Sequence, residues 1–491
     1  MFSLKLKPLL RLSLAALLLA GAAACEKKPG PQPVVPEPPL PPPPAGPSQV
    51  ALWLTNADRS VQFRRQNVQL NFAALSNQNP TINVDTTQAF QGIDGFGYTL
   101  TGGSAYVINR LGAPARANLL RELFAQDSTW IGVSYLRVSI GASDLSDQVF
   151  TYNDLPAGQT DEQMARFSLA PERADLLPVL KEILAINPNI KILGSPWTAP
   201  SWMKTNNSPI GGSLRPQYYA AYARYFVKYV QQMQAEGIRI DAITIQNEPL
   251  NPYNEPSMLM SAAEQTDFIK NHLGPAFAAN GLSTKIIAYD HNADRPDYPL
   301  AVLGDPAARN YVDGSAFHLY GGSISALTTV HDAYPQKNVY FTEQWVDARP
   351  ANGFAGDLKW HVDNLIIGAT RNWSRNVLEW NLAADANNGP RTAGGCSSCL
   401  PAVTVASSGT ITRNQAYYII AHASKFVRPG SVRVASNLLS DLPNVAFRTL
   451  TGKKVLIVLN TGNQPRTFNI GYRGKLVVST LNAGSVGTYV W

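Results

Sequence analysis

The chain has 491 residues, of which 45% are hydrophobic, and it carries a formal net charge of +7. A chain of this length and apolar content buries a sizeable core, which excludes intrinsic disorder for most of it. Its basic residues are scattered along the sequence rather than clustered, so the positive charge does not indicate a nucleic-acid partner.

Residues 1–25 have the layout of a secretory signal, because Lys5, Lys7 and Arg11 precede a short apolar run and then small residues. The apolar run is shorter than the roughly 20 residues of a membrane-spanning helix. The segment L-A-G-A-A-A-C ending at Cys25 resembles a bacterial lipobox, whose cysteine is lipidated and becomes the mature N-terminus. Ordinary cleavage near Ala24 is the alternative. We expect an exported, lipid-anchored protein of the bacterial cell envelope, attached to a membrane through Cys25.

Residues 26–49 form a proline-rich linker with four consecutive prolines at 41–44. Such a segment adopts an extended polyproline II conformation and acts as a stiff spacer. It would hold the following domain away from a membrane surface. A proline-rich recognition ligand is the competing interpretation and has little support in an exported protein.

Cys396 and Cys399 stand in the sequence C-S-S-C and are candidates for a short disulfide in an oxidising compartment. A single pair of this kind, without nearby histidines, is a weak indication of zinc, and a redox role lacks its usual βα context. We expect no metal site, and no cofactor motif is present.

Eight short strand-like runs alternate with amphipathic helical stretches across residues 91–425, which predicts a closed (β/α)₈ barrel. The predicted strands are residues 93–99, 134–140, 190–197, 240–248, 285–290, 314–320, 338–345 and 376–383. The predicted helices between them are residues 114–125, 171–186, 216–236, 262–279 and 356–371.

The segments that flank the barrel read mainly as β structure. Residues 50–90 contain alternating strand-like pieces, and a helix predicted at 414–426 leads into the C-terminal region, residues 426–491. Strands are predicted there at 452–460, 467–472, 475–481 and 486–491. We expect an appended β-sandwich that combines both termini; a sandwich of the C-terminal strands alone is the alternative.

Two glutamates end predicted barrel strands, Glu248 on the fourth and Glu343 on the seventh. Active sites of such barrels lie at the carboxyl ends of the strands. A retaining glycosidase uses two carboxyl groups about 5 Å apart, one to protonate the leaving oxygen and one to attack the anomeric carbon. Either glutamate alone could be a surface or ion-pair residue, but together they indicate this chemistry.

Seven short sequence motifs, two of which contain these glutamates, resemble those of glycoside hydrolase family 30, a group that contains glucosylceramidases and β-1,6-glucanases. They are I-D-G-F-G-Y-T-L-T-G-G at 93, Y-L-R-V-S-I-G-A-S-D at 135, S-P-W-T-A-P-S-W-M-K-T at 195, Q-N-E-P at 246, F-H-L-Y at 317, F-T-E-Q at 341 and W-N-L at 380. The resemblance covers roughly residues 80–491. It implies retaining hydrolysis, with Glu248 as general acid/base and Glu343 as nucleophile. On this basis we expect a raised pKa for Glu248 and an ionised Glu343.

The resemblance also implies a set of substrate-binding residues. Asn247 would bond the sugar 2-hydroxyl, although a strand-end cap is an alternative role. Arg137 and Tyr320 would orient Glu343, with a barrel-internal salt bridge as the other role for Arg137. The walls of the subsite for the cleaved sugar would be Asp144, Trp197 and Trp380. The sequence itself favours His318 as a hydrogen-bonded residue of this site rather than a metal ligand, since no second histidine follows at ligand spacing.

The substrate stays open at this stage. A β-1,6-linked glucan is favoured over glucosylceramide because the loop 384–408 departs from the shorter shape associated with animal glucosylceramidases. A glycan-binding lipoprotein that has lost turnover is the alternative from another functional class, but such a protein should lack a catalytic carboxylate. The oligomeric state is not indicated by the sequence.

Overall fold

Eight parallel strands close into a barrel, and the segments before and after it share a second β assembly. The fold is seen in a computed structural model that describes residues 48–127, 129–349 and 353–491. The predicted signal, the lipidation site Cys25 and nearly all of the proline-rich linker lie outside the described residues. The division of the chain at residues 25, 49, 90 and 425 stays a prediction.

In chain order the strands of the described residues are β1 (Ala51–Thr55), β2 (Arg64–Arg65), β3 (Thr81–Gly92), β4 (Gly95–Leu100), β5 (Tyr135–Ser139), β6 (Lys191–Ser195), β7 (Ala242–Thr244), β8 (Lys285–Ala293), β9 (Val312–Gly322), β10 (Asn338–Glu343), β11 (Val346–Asp347), β12 (Ser374–Glu379), β13 (Ala383–Ala384), β14 (Cys399–Leu400), β15 (Val403–Val405), β16 (Ile411–Arg413), β17 (Val432–Ser436), β18 (Asn444–Arg448), β19 (Lys454–Leu459), β20 (Arg466–Tyr472), β21 (Lys475–Leu481) and β22 (Val486–Val490). The α-helices are α1 (Gly102–Asn109), α2 (Ala113–Phe124), α3 (Leu176–Ile186), α4 (Tyr219–Ala235), α5 (Ala262–Phe268), α6 (Gly274–Ala279), α7 (Asp297–Gly304), α8 (Pro306–Tyr311), α9 (Ala326–Ala333), α10 (Gly353–His361) and α11 (Gln415–Ser424).

The barrel runs β4-β5-β6-β7-β8-β9-β10-β12 and closes back on β4. Every one of the eight predicted strands is present, so the predicted barrel is confirmed. Seven strands each contribute one side chain to a buried apolar layer inside the barrel: Tyr135, Leu193, Ala242, Ile287, Ala316, Tyr340 and Leu378. Such a filled interior leaves the chemistry to the strand ends and the loops.

The helices pack their apolar faces around this barrel. Helix α4 shows why: Tyr222, Phe226 and Val230 recur at helical spacing and are all buried. The predicted helix 262–279 is one continuous helical segment, in which the π-helical turn Ile269–Leu273 lies between α5 and α6. None of the helices in the described ranges combines the length and apolarity needed to cross a bilayer.

The second β assembly joins both ends of the described chain. Its nine strands are hydrogen-bonded in the order β2-β1-β22-β19-β18-β17-β3-β20-β21. Strand β1 pairs antiparallel with the last strand, β22, and β3 lies between β17 and β20. His422 of α11 bonds both Thr55 and Thr488, at 2.8 Å and 2.9 Å, which ties this assembly to the barrel's last helix. The N-terminal segment is therefore part of the β-sandwich.

The structure differs from the predicted elements in several places. Helices α1, α7, α8 and α9 have no counterpart among the predicted helices. Strands β17 and β18 precede the predicted C-terminal strands and were missed. Strands β14 and β15 lie within the predicted loop 384–408. Strand β7 ends at Thr244 rather than at Glu248, whose backbone lies in the left-handed region with φ of 46°.

Candidate active site

The two predicted catalytic glutamates meet at the carboxyl-terminal mouth of the barrel. One carboxylate oxygen of Glu248, one of Glu343 and a ring nitrogen of His318 all lie within 4.8 Å of one another. Both glutamates are buried. This separation suits direct attack by one carboxylate and leaves no space for a water molecule between the carboxylate and the sugar, as retention requires.

Glu248 is fixed by its backbone as well as by its carboxylate. Its backbone N–H donates to the carbonyl oxygen of Asp290 at 3.0 Å, and both residues have positive φ, 46° and 76°. Non-glycine residues in the left-handed region are concentrated at functional sites, since the surrounding structure must hold them there. The side-chain amides of Asn251 and Asn254 each donate to Oε2 of Glu248 at 2.8 Å.

Glu343 ends strand β10 and has a donor on each carboxylate oxygen. Nη1 of Arg137 donates to Oε2 at 2.5 Å, and the Tyr320 hydroxyl donates to Oε1 at 3.0 Å. The predicted orienting contacts from Arg137 and Tyr320 are thus both present. A carboxylate that is held by two donors in this way is oriented for attack rather than for proton donation.

Arg137 is completely buried and connects the site to the barrel interior. Its Nη2 donates to Oδ1 of Asn247 at 2.7 Å and to Oδ2 of Asp290 at 2.8 Å. Its guanidinium carbon also lies 4.7 Å from the centroid of the Trp197 ring. The two roles considered for Arg137, internal salt bridge and orientation of Glu343, are therefore performed together.

The charges of this cluster set its proton affinities. Burial alone would raise the pKa of Glu248, but His318, whose Nδ1 lies 3.4 Å from Oε1, lowers it to about 2. Burial also lowers the pKa of His318, whereas Glu343 and Asp290 raise it, to about 9 overall. Burial raises the pKa of Glu343, against the opposing cations His318 and Arg137.

The expected raised pKa of Glu248 is therefore wrong for the free site. The physical reason is the positive charge of His318, whose Nδ1 lies 3.4 Å from Oε1 of Glu248, with smaller contributions from His291 and the Asn251 amide. His318 is hydrogen-bonded to Asp290 through Nε2 at 3.1 Å, as expected for a barrel residue, and it also belongs to the charge cluster. Strongly interacting groups of this kind titrate as a set rather than one by one.

The predicted sugar-binding walls lie together beside the glutamates. The Trp197 and Trp380 rings are buried with centroids 5.5 Å apart, and they share an apolar cluster with Leu145 and Cys399. Asp144 is half-buried, and its Oδ2 accepts the backbone N–H of Cys396 at 3.3 Å. Burial, together with the charge of Glu343, raises the pKa of Asp144 to about 7.

Cys396 and Cys399 form a disulfide with an S–S distance of 2.08 Å. Trp202 is buried, and its Nε1 donates to the backbone oxygen of Asn153 at 3.0 Å, which makes it a packing residue outside the cluster. Trp345 is half-buried, and its backbone forms an isolated parallel β-bridge with Trp380.

Three residues of this site received no role in the sequence analysis. Asp290 ends the fifth predicted strand, and it accepts hydrogen bonds from Ser195 at 2.6 Å, Thr244 at 2.7 Å and Thr342 at 2.6 Å. Its position at a strand end was the available signal. Asn251 and Asn254 lie in a loop after β7, where only the folded structure shows that they face Glu248.

The trio Glu248, His318 and Glu343 is also the one group in the described ranges whose ligand atoms have the spacing of a metal site. Oε2 of Glu343 already faces Arg137, and Nε2 of His318 already bonds Asp290. A cation at the centre would add positive charge next to Arg137, so the donor set fits a carboxylate pair for acid/base work better than a metal centre.

Comparisons with known proteins agree with this geometry. The glycosyl hydrolase family 30 TIM-barrel domain matches residues 93–427, and the family 30 β-sandwich domain matches residues 430–489. An endo-1,6-β-D-glucanase of Trichoderma harzianum is 37% identical over 404 residues, 77% of this chain and 79% of the relative. The lysosomal acid glucosylceramidase of Mus musculus is 29% identical over 432 residues, 82% of this chain and 81% of that protein. A solved endo-β-1,6-glucanase superposes with a TM-score of 0.84 at 36% identity, covering 90% of this chain and 99% of that one. The chain is a glycoside hydrolase and belongs to glycosyl hydrolase family 30, a family of retaining enzymes.

Proposed function

We propose that this protein hydrolyses β-1,6-linked glucan with retention, using Glu248 as general acid/base and Glu343 as nucleophile. The observation that carries the proposal is the approach of the two carboxylates within 4.8 Å, each held by its own donors. The choice of linkage is supported by greater identity to endo-1,6-β-glucanases than to a glucosylceramidase.

In the first step, a carboxylate oxygen of Glu343 attacks the anomeric carbon while Glu248 donates a proton to the glycosidic oxygen, and the bond to the leaving sugar breaks. In the second step, Glu248 takes a proton from water, whose oxygen attacks the same carbon and releases Glu343. Two inversions give net retention. Asn247, whose Oδ1 is held by Arg137, is placed to donate its amide to the sugar 2-hydroxyl.

The proton for the first step has a source within the site. His318 carries a proton below pH about 9, and its Nδ1 lies 3.4 Å from Oε1 of Glu248. A bound sugar that excludes water disfavours the charged pair His318 and Glu248 relative to the same two groups in their neutral forms, so transfer of the proton to Glu248 accompanies binding of the leaving oxygen. This proposal makes His318 a proton donor to Glu248, not to the substrate.

The test is hydrolysis of reduced β-1,6-gluco-oligosaccharides and, in parallel, of glucosylceramide, followed by NMR at early times. We expect the β-anomer of the new reducing end to appear first from the oligosaccharides. Glu343→Gln should abolish this, while Glu162→Gln, the same change at an exposed glutamate, serves as the control. Appearance of the α-anomer first would contradict retention. Turnover of glucosylceramide alone would contradict the proposed linkage, and binding without turnover would favour a glycan-binding protein.

We also propose that the protein is exported and lipid-anchored through Cys25. Support comes from the lipobox-like segment and the proline-rich linker that follows it. Metabolic labelling with a fatty acid should mark the wild-type protein but not Cys25→Ala, and the variant should leave the membrane fraction. Equal labelling of both proteins would contradict lipidation at this residue.

A further inference from the structure

The segment of residues 389–399, which ends in the turn closed by the Cys396–Cys399 disulfide, contacts the loops that follow two other barrel strands. The backbone N–H of Thr392 donates to the carbonyl oxygen of Asp144 at 2.9 Å, and the N–H of Cys396 donates to the Asp144 carboxylate at 3.3 Å. Through these two bonds the loop holds both the backbone and the side chain of a residue in the loop after β5.

The same loop holds Glu255, which lies in the loop after β7. The Thr392 hydroxyl donates to the carbonyl oxygen of Glu255 at 2.7 Å, and the N–H of Gly394 donates to its carboxylate at 2.8 Å. Glu255 directly follows Asn254, whose amide bonds Glu248. One short segment therefore connects the Asp144 side of the cleft to the loop that carries the partners of Glu248.

The packing of this connection leaves no space for larger residues. A Cβ atom on Gly395 would collide with the carbonyl oxygen of Asp144, and one on Gly394 would lie 2.8 Å from the Glu255 carboxylate. The disulfide fixes the end of the loop, since Cys399 belongs to β14, which pairs with β11, and β11 begins three residues after Glu343. Cys399 is buried against Trp197 and Trp380.

We propose that the loop 389–399, anchored at its end by the Cys396–Cys399 disulfide, is a clamp that fixes Asp144 and the 249–257 loop relative to the catalytic glutamates. Thr392, Gly394 and Cys396 are positioning residues in this arrangement, because they act through Asp144 and Glu255. The consequence for turnover rests on the proposed function and on the expected place of Asp144 in the wall of the subsite for the cleaved sugar. The consequence for loop order does not, because it follows from the contacts alone.

Hydrogen–deuterium exchange of the full chain tests the clamp without any substrate. We expect Cys396→Ala/Cys399→Ala to raise amide exchange in residues 142–146 and 250–257, with exchange in the barrel strands unchanged. Thr392→Val keeps the disulfide and the backbone bond to Asp144, so it should raise exchange more in residues 250–257 than in residues 142–146. It provides a second variant if the first does not fold. Ser397→Ala, an exposed residue of the same loop, is the matched control. Unchanged exchange in both segments would overturn the clamp.

Kinetics on an aryl β-glucoside then test the route through Asp144. Loss of the disulfide should lower kcat/KM roughly ten-fold in the wild-type background, since small misplacements of a binding group are costly. The same change in an Asp144→Asn background should lower it less than two-fold, because the group being positioned is already lost. Equal losses in both backgrounds would overturn the positioning of Asp144. A chain inactive on every β-glucoside would refute the proposed function, and exchange would still decide on the clamp.

Discussion

Arg137 is the residue whose loss we expect to damage both folding and turnover most clearly. It has no exposed surface, and it is the cation facing two buried carboxylates, Asp290 and Glu343, at 2.8 Å and 2.5 Å. Arg137→Met has nearly the same apolar length but removes the charge. It would leave those carboxylates facing His318 alone. Removing one partner of a buried ion pair costs about 3–5 kcal/mol of unfolding free energy.

Arg137→Lys separates charge from geometry. A lysine keeps the positive charge but cannot reach Glu343 and Asp290 with a rigid fork, so at least one charge-assisted bond is lost. Such a bond contributes about 1.5–3 kcal/mol. We therefore expect a smaller loss of stability than in Arg137→Met. Loss of the contact to Glu343 should lower kcat by roughly 10- to 100-fold, because it orients the attacking oxygen.

Urea unfolding and steady-state kinetics on an aryl β-glucoside measure the two effects. Arg375→Met is the matched control, since Arg375 also makes two bonds to one carboxylate, Asp94, near the opposite end of the barrel. That pair is partly exposed, with side-chain exposures of 25% and 19%, so its loss should cost only about 1 kcal/mol and leave kcat unchanged. An Arg137→Met protein within 1 kcal/mol of wild type would refute the reasoning that Arg137 neutralises the buried cluster.

Three further predictions follow from the site. Glu248→Ala should lower kcat roughly 10²- to 10⁴-fold on glucan, and added azide should restore turnover of an activated aryl glucoside with β-glucosyl azide as product; an α-azide, or no rescue, would contradict the acid/base role of Glu248. The pKa of His318 is raised to about 9 from an ordinary value of 6.5, so its stabilising charge is fully present below pH 6.5 and is lost as pH rises through 9. Wild type should therefore lose up to about 3 kcal/mol more unfolding free energy than His318→Gln between pH 6 and pH 9.5, measured in urea, and equal losses would contradict this assignment. Tyr253 is 87% exposed in the loop between Asn251 and Asn254, so Tyr253→Ala should raise KM for β-1,6-gluco-oligosaccharides roughly five-fold through lost sugar stacking, while KM for an aryl glucoside should stay unchanged; an equal change for both would contradict a role outside the cleaved-sugar subsite.

The barrel was predictable because each of its strands has a recognisable local sequence pattern. Short β-branched runs such as residues 338–343 end at turn or polar residues, and the rule that barrel sites lie at carboxyl ends then places Glu343 without any knowledge of packing. The joining of both termini in one β assembly was also predictable, since strand-like pieces precede the barrel and strands were predicted after it. Strand β17, V-R-V-A-S, alternates in the expected way but is only five residues long and follows a glycine turn, so its local signal was weak.

The electrostatics of the site could not be predicted in the same way. The pKa of Glu248 depends on a His318 nitrogen 3.4 Å away. That distance comes from the closed barrel, which brings residues of different strands and loops together, and not from any local sequence motif. The contacts of Thr392 with Asp144 and Glu255 likewise cannot be predicted from the sequence, because Thr392 is separated from these residues by 248 and 137 positions along the chain. Local patterns determine which side chains reach the barrel mouth, whereas the distances between them come from the closed fold.

The charges at the mouth explain why one proton suffices for the first chemical step. With His318 and Arg137 positive and Asp290, Glu343 and Glu248 negative, the five groups carry a net charge of −1. Transfer of the His318 proton to Glu248 keeps that total and moves the negative charge away from the leaving oxygen, towards Glu343 and Asp290. The positive charge that develops on the sugar carbon then faces Glu343, while Arg137 limits the protonation of that carboxylate. Replacing His318 should therefore slow bond cleavage more than hydrolysis of the glycosyl ester, in which Glu248 acts as a base.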